Sequence, residues 1–220
     1  PQLEKVFMSF EKKSLEFILL KLPTDLPIHA VLAVVVDRTG IGPAVSLGAA
    51  AALRIEEATT RATAEALKTR FVTRKNLERA VELREDLNFD NPGSIGVRAR
   101  SLFWARPGME KEIEFLSKGK KINPATLQDF IKEKARPEEK LDYLASALKN
   151  QKLEAAYVDI TPAGTQTLGL KSIFAVIPEL QPMHLDETLP YFHGKRVSEV
   201  PKKLGYAPAE NINTMPHPFL

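Results

Sequence analysis

Glu57, Arg61 and Glu65 stand four residues apart, and Lys68 follows three residues later. At 3.6 residues per turn this spacing puts them on, or beside, one stripe of a helix. Two carboxylates, a guanidinium and an ammonium in a row suit a metal–nucleotide. Carboxylate oxygens are ligands for Mg2+, and the arginine fork meets phosphate oxygens two at a time. The same row also fits a plainer description, an exposed helix face laced by i, i+4 ion pairs worth roughly a few tenths of a kcal/mol each. The pattern alone admits both.

A second candidate lies at the C-terminal end, in Asn213-Thr214-Met215-Pro216-His217-Pro218-Phe219-Leu220. Its prolines supply no N–H and fix φ, so the segment makes a poor helix and a poor strand. Frayed termini are usually polar, and this nearly uncharged, proline-punctuated stretch reads as a docked tail.

The elements that must position these residues are legible in outline. Leu15 to Leu22 is a strand candidate ended by Pro23, and Ile28 to Val36 is β-branched and apolar on both faces, as a central buried strand is. Asp37-Arg38-Thr39-Gly40 makes a turn, and Ala44 to Gly48 resumes as a strand. The small residues Ser46, Gly48, Ala49 and Ala50 let another backbone approach closely there. Ile55 to Phe71 turns helical, with Glu56 and Glu57 in the first turn and Arg70 near the end, as the helix dipole favours. A second helix is expected over about Arg74 to Glu85, before the break at Asn88 to Gly93. Ile95 to Trp104 reads as short helix or loop, with Trp104 in the core, and Glu138 to Asn150 as a helix with Leu141, Leu144, Ala145 and Leu148 on one face. Alternation returns at Ala155 to Ile160, ending near an Asp159 suited to an Asx turn, and at Leu170 to Ile177. Pro178 onward is loop-rich, with His184 and His193 in surface or hydrogen-bonded roles. Strands, then helices, then strands give an α+β class, mixed or antiparallel, with a helical insert at about 72–152.

Composition narrows the function classes. The 220 residues fit one domain, with 44% hydrophobic and 27% charged residues as in ordinary globular proteins. A net charge of +3 from 31 basic and 28 acidic residues is a mixed surface that carries no nucleic-acid footprint. The absence of Cys excludes disulfides and thiolate metal sites and is compatible with the cytoplasm. Four His without HxxxH or HExxH spacing argue against a dedicated zinc site. The longest apolar run, Ile28 to Val36, is too short to span a bilayer and contains His29, so no membrane partner is expected. The chain opens on Pro1, with Leu3, Val6, Phe7 and Phe10 at helical spacing and no N-cap, as a fragment would.

Five ordered segments carry a resemblance. Gly48 through Ala58, Arg61-Ala62 and Glu65-Ala66 to Arg70 is similar to the strand-into-helix segment of the YcaO superfamily. Pro27 to Asp37 resembles a second family strand, and Val158-Asp159-Ile160-Thr161 a third. Ile177 to His184 resembles its "V-P-G-L-Q-P-L-H" stretch, and Met215 to Phe219 its proline-rich end. The segments span nearly the whole chain and match the C-terminal half of the family fold, so residues 1–220 are expected to be the C-terminal portion of a YcaO-like domain. The chain departs from the pattern at Lys68, where Gln is more usual, at Glu179 in place of Gly, and at Leu220 in place of Pro.

The resemblance implies ATP- and Mg2+-dependent enzymes that activate a peptide-bond oxygen by phosphorylation. A Cys, Ser or Thr side chain then gives an azoline by cyclodehydration, or external sulfide gives a thioamide, as in peptide natural-product biosynthesis. Carried over by position, Arg61 would contact nucleotide phosphate, Glu65 would hold Mg2+, and Glu57 and Lys68 would complete the cofactor-binding row. Pro216, His217, Pro218 and Leu220 would line the reaction chamber, with His217 either a proton carrier or a packed tail residue. Expected partners are a peptide or protein substrate, a leader-peptide-binding or accessory protein, and a second copy of the chain. The family's ATP site also draws Ser and Glu residues from an N-terminal half, so these 220 residues alone could be inactive. A non-catalytic relative that keeps the fold as a peptide-docking or assembly subunit is the alternative, motivated by Lys68, Glu179 and Leu220.

Overall fold

In the computed structural model, residues 8, 14–83, 89–90, 95–207 and 211–219 are described. The opening helix expected around Leu3 to Phe10 lies outside them apart from Met8, and so does Leu220.

The α+β class holds. Strands β1 (Leu15–Leu22), β2 (His29–Asp37) and β3 (Val45–Ala52) form an antiparallel sheet with β2 in the middle. The two-sided apolar pattern of β2 has its reason here, because every residue but Ala30 is buried. One face sends Val31, Ala33 and Val35 against Ala58, Ala62 and Ala66 of the long helix α1 (Ile55–Glu82). The other sends Leu32, Val34 and Val36 into a second cluster with Phe103 and Trp104 of α2 (Val97–Ala105). That cluster also takes Met109 and Ile113 from the 3-10 helix Met109–Lys118, and Met215 and Phe219 of the tail pack against it.

Helix α1 sits close to the sheet because both surfaces are made of small side chains. Ala58, Ala62 and Ala66 are fully buried, and a Cβ on Gly48 would overlap the Ala66 nitrogen and the Ala62 carbonyl oxygen. The close approach expected at Gly48 is therefore made by the helix that follows. The N-terminus of α1 is satisfied from a distance. Its own N-cap, Arg54, supplies no side-chain cap, and Asp129 accepts from the Ile55 N–H at 2.8 Å and from Arg54 Nε at 3.2 Å.

Several expectations change in detail. The two helices over 55–85 are one, continuous from Ile55 to Glu82, because no Gly or Pro interrupts them and buried Thr69, Thr73 and Ala80 prolong the sheet-facing stripe. Arg70 is thus mid-helix, where it binds Asp37 Oδ2 at 2.6 Å and the Pro43 carbonyl at 2.9 Å. Burial raises the Asp37 carboxyl, but bonds from Thr39 and Arg70 outweigh it and hold it below its usual range. The strand begun at Ala44 starts at Val45 and runs on to Ala52.

The two later strands form a separate antiparallel pair, β4 (Ala156–Asp159) and β5 (Ile173–Val176), and all of their residues are exposed. Asp159 makes its Asx turn with the Thr161 N–H at 2.9 Å, though at the end of an exposed strand. Helix α3 (Pro137–Asn150) forms as expected but buries no residue, and Leu141 remains 67% exposed. Helix α4 (Ala163–Gln166) stands between β4 and β5, and α5 (Lys195–Lys203) appears in the loop-rich end. Helix α5 is tied to the β1–β2 connection by Arg196 on Asp25 Oδ1 at 2.5 Å and Lys203 on Asp25 Oδ2 at 3.4 Å.

Candidate functional site

A cleft of about 440 Å3 opens between α1, the second half of β3 and the tail, lined by Ala49, Ala50, Ala51, Arg61, Glu65, Met183 and Phe219. Ala49, Ala50 and Ala51 of β3 form its floor. Arg61 and Glu65 rise from the helix as the i, i+4 pair the spacing predicts.

Both heads are lightly held. Arg61 Nη1 lies 3.6 Å from Glu57 Oε1, and Lys68 Nζ lies 3.7 Å from Glu65 Oε2, with the side chains of Arg61 and Glu65 62% and 41% exposed. Such solvated pairs between neighbours on one helix stabilise little, so either head can turn to a ligand at small cost. Glu57 and Lys68 are not among the cleft-lining residues and reach the site through these two ion pairs. A guanidinium and a carboxylate converging on a cleft suit phosphate oxygens and a divalent cation respectively, so these residues fit a metal–nucleotide.

The tail is docked. Pro216 is buried, its carbonyl accepts from Trp104 Nε1 at 2.8 Å, and His217, Pro218 and Phe219 are partly buried. His217 Nε2 donates to the His184 carbonyl at 2.6 Å, and its Nδ1 accepts from the Phe219 N–H at 3.3 Å. Burial pulls its pKa below 6.5, only partly offset by the bond to His184.

Beneath the tail lies a charged cluster that the sequence did not single out. Arg100, fully buried, sets Nε 2.7 Å from Glu187 Oε1, with Nη2 donating to the Leu185 carbonyl at 2.5 Å and Nη1 to the Phe219 carbonyl at 3.3 Å. The second Glu187 oxygen accepts from His184 Nε2 at 3.0 Å. His184, Glu187 and His217 bring one potential ligand atom each within 4.8 Å of one another. Both His217 nitrogens are spent on hydrogen bonds, however, and Glu187 is neutralised by Arg100, so the cluster is closed on itself. A buried Arg needs a carboxylate partner, but nothing in Val97 to Ala105 says which. Trp104 is core as expected, with its N–H put to use on the tail.

A family model described as "YcaO cyclodehydratase, ATP- and Mg2+-binding" matches residues 1–181, and the chain belongs to the YcaO family. That match includes Arg61 and Glu65 and stops short of the tail. The solved structure of the heterocyclase TruD aligns over 96% of this chain at 17% identity with a TM-score of 0.61, this chain covering 26% of that one. A heterocyclase in complex with substrate and cofactor aligns over 100% at 19% identity with a TM-score of 0.64, with 27% of it covered. These likenesses show a shared fold, and the chain spans about a quarter of the length of the solved chains it matches. No curated protein matches the sequence. Among the described residues no helix is long and apolar enough to cross a membrane.

Proposed function

We propose that this chain supplies one side of an ATP- and Mg2+-dependent site that activates peptide-backbone amides for cyclodehydration or thioamidation. One observation carries the reading: Arg61 and Glu65 face the same cleft as Phe219 of the tail. Bound there, the nucleotide would supply the phosphoryl group that turns an amide oxygen into a leaving group. Arg61 binds and orients phosphate oxygens, and Glu65 offers a carboxylate to the cation. Pro216 and Pro218 stiffen the wall against which the substrate amide lies, and Phe219 and Met183 exclude water from it. His217 is neutral, with its proton on Nε2 and engaged to His184, which makes it a structural member of that wall. One carboxylate does not complete a Mg2+ site, and phosphate oxygens, water and further side chains would supply the remaining ligands. A peptide or protein substrate, a leader-peptide-binding or accessory partner, a homodimeric assembly and a cytoplasmic setting accompany this reading.

The test is ATP turnover by the full-length protein with its peptide substrate. Arg61→Ala and Glu65→Ala should each lower kcat by about 10^2-fold or more, as loss of a charge-stabilising group does. Both side chains are solvated, so thermal unfolding should hardly move. Turnover equal to wild type in both variants would sink the assignment of Arg61 and Glu65 to the site, and wild-type protein that turns over no ATP would sink the enzymatic reading. A second reading, a non-catalytic peptide-docking or assembly subunit, is favoured by Lys68, whose ammonium already stands beside the carboxylate meant for the cation. It predicts that both variants retain full biological activity.

A further inference from the structure

The tail packs Met215 and Phe219 on the apolar cluster, but its polar anchors come from elsewhere in the chain. Its residues are mostly apolar and its prolines donate nothing, yet Pro216 is fully buried. Three of its backbone or ring groups are taken by side chains or carbonyls far away in sequence. Trp104 Nε1 bonds the Pro216 carbonyl across 112 residues, Arg100 Nη1 the Phe219 carbonyl across 119, and the His184 carbonyl receives His217 Nε2 across 33. Arg100 is the hub. The same guanidinium holds the loop from Met183 to Glu187 through Leu185 and Glu187, and Met183 forms part of the cleft wall beside Phe219. A single buried cation therefore ties together the two segments that close the cleft opposite Arg61 and Glu65.

We infer that Arg100, with Glu187 and Trp104, is a positioning device that seats the tail and the Met183 loop as one wall of the cleft. Arg100 is not among the residues that line the cleft, and it acts by fixing where Phe219 and Met183 stand. Guanidinium suits this role better than ammonium. Its fork reaches the Glu187 carboxylate and two carbonyls in different directions at once, whereas a lysine offers one compact head. The functional part of the inference rests on the reading of the cleft as a reaction site, and the anchoring part does not.

The two parts separate experimentally in the full-length protein. Arg100→Lys keeps the charge and loses the fork. Trp104→Phe keeps the buried ring and loses only the bond to Pro216. Hydrogen exchange, followed by mass spectrometry on peptides covering 211–219, reports seating directly, with peptides from β2 as the control for global folding. Both variants should exchange the tail amides about tenfold faster or more, with β2 unchanged. Under saturating peptide, kcat should fall about 10- to 10^2-fold while KM for ATP moves less than about threefold, the sign of a misplaced wall and not of weakened nucleotide binding. Unchanged tail exchange in both variants would overturn the anchor. Faster exchange with unchanged kcat would overturn the positioning role. Wild-type protein idle on ATP would sink the enzymatic reading instead, with the exchange result still deciding whether Arg100 holds the tail.

Discussion

His217 carries its proton on Nε2, because that nitrogen donates to the His184 carbonyl while Nδ1 accepts from the Phe219 N–H. Protonating Nδ1 would remove the second bond and place a new cation near the buried Arg100, with Glu187 already committed to that arginine and to His184. Its depressed pKa means the free chain binds the proton more readily than the docked one. The stability this gives to docking is complete above about 6.5 and is lost as pH falls through the docked value. Tail amides should therefore exchange faster at pH 5 than at pH 8 after correction for intrinsic rates, and His217→Gln should flatten that dependence. At this scale the sequence was only partly readable. Glu57, Arg61, Glu65 and Lys68 declared themselves because their partners lie three or four residues away. Arg100, Glu187 and Asp129 did not, because each acts on a group 74 or more residues distant or reaches one only through the folded tail.

Gly48 sets how near α1, which carries Arg61 and Glu65, can lie to β3, whose Ala49, Ala50 and Ala51 line the cleft. Gly48→Ala would drive a methyl group into the helix backbone between Ala62 and Ala66 rather than into a movable side chain. Overpacking of this kind costs about 1–3 kcal/mol, and the measurement is a denaturant midpoint lowered with an unchanged slope. The central strand and the helix start were readable because their patterns are long and unbroken: β2 is apolar on both faces, and the small residues of β3 meet the small face of α1. The split into two helices failed for a physical reason. Polarity rises after Phe71, yet Thr73 and Ala80 keep the buried stripe going, and a helix ends where its backbone must break rather than where its surface changes. The alternation at Ala155 to Ile160 and Leu170 to Ile177 marked β4 and β5 as strands, yet neither buries a face, since alternation records which sides differ and not what covers them.

Taken whole, the molecule divides into a sheet–helix unit with buried faces on both sides of β2 and a set of outlying elements with none. Helix α3 and the β4–β5 pair bury no residue between them. A lone two-stranded ribbon is marginal in water. Amides of β4 and β5 should accordingly exchange orders of magnitude faster than those of β2 in this chain, and equal protection would show that the ribbon is covered in solution. The bonds from Arg100 and Trp104 to the tail also set an order of events. The three strands of the main sheet and α1 pair between neighbours in sequence, whereas the wall of the cleft waits for partners more than a hundred residues away. Closing so long a loop costs only a little more entropy than closing a short one, but it cannot begin until the tail residues exist. On the ribosome, the sheet and its helix can assemble while the tail is still being made, and the cleft gains its final wall only when synthesis has passed residue 219.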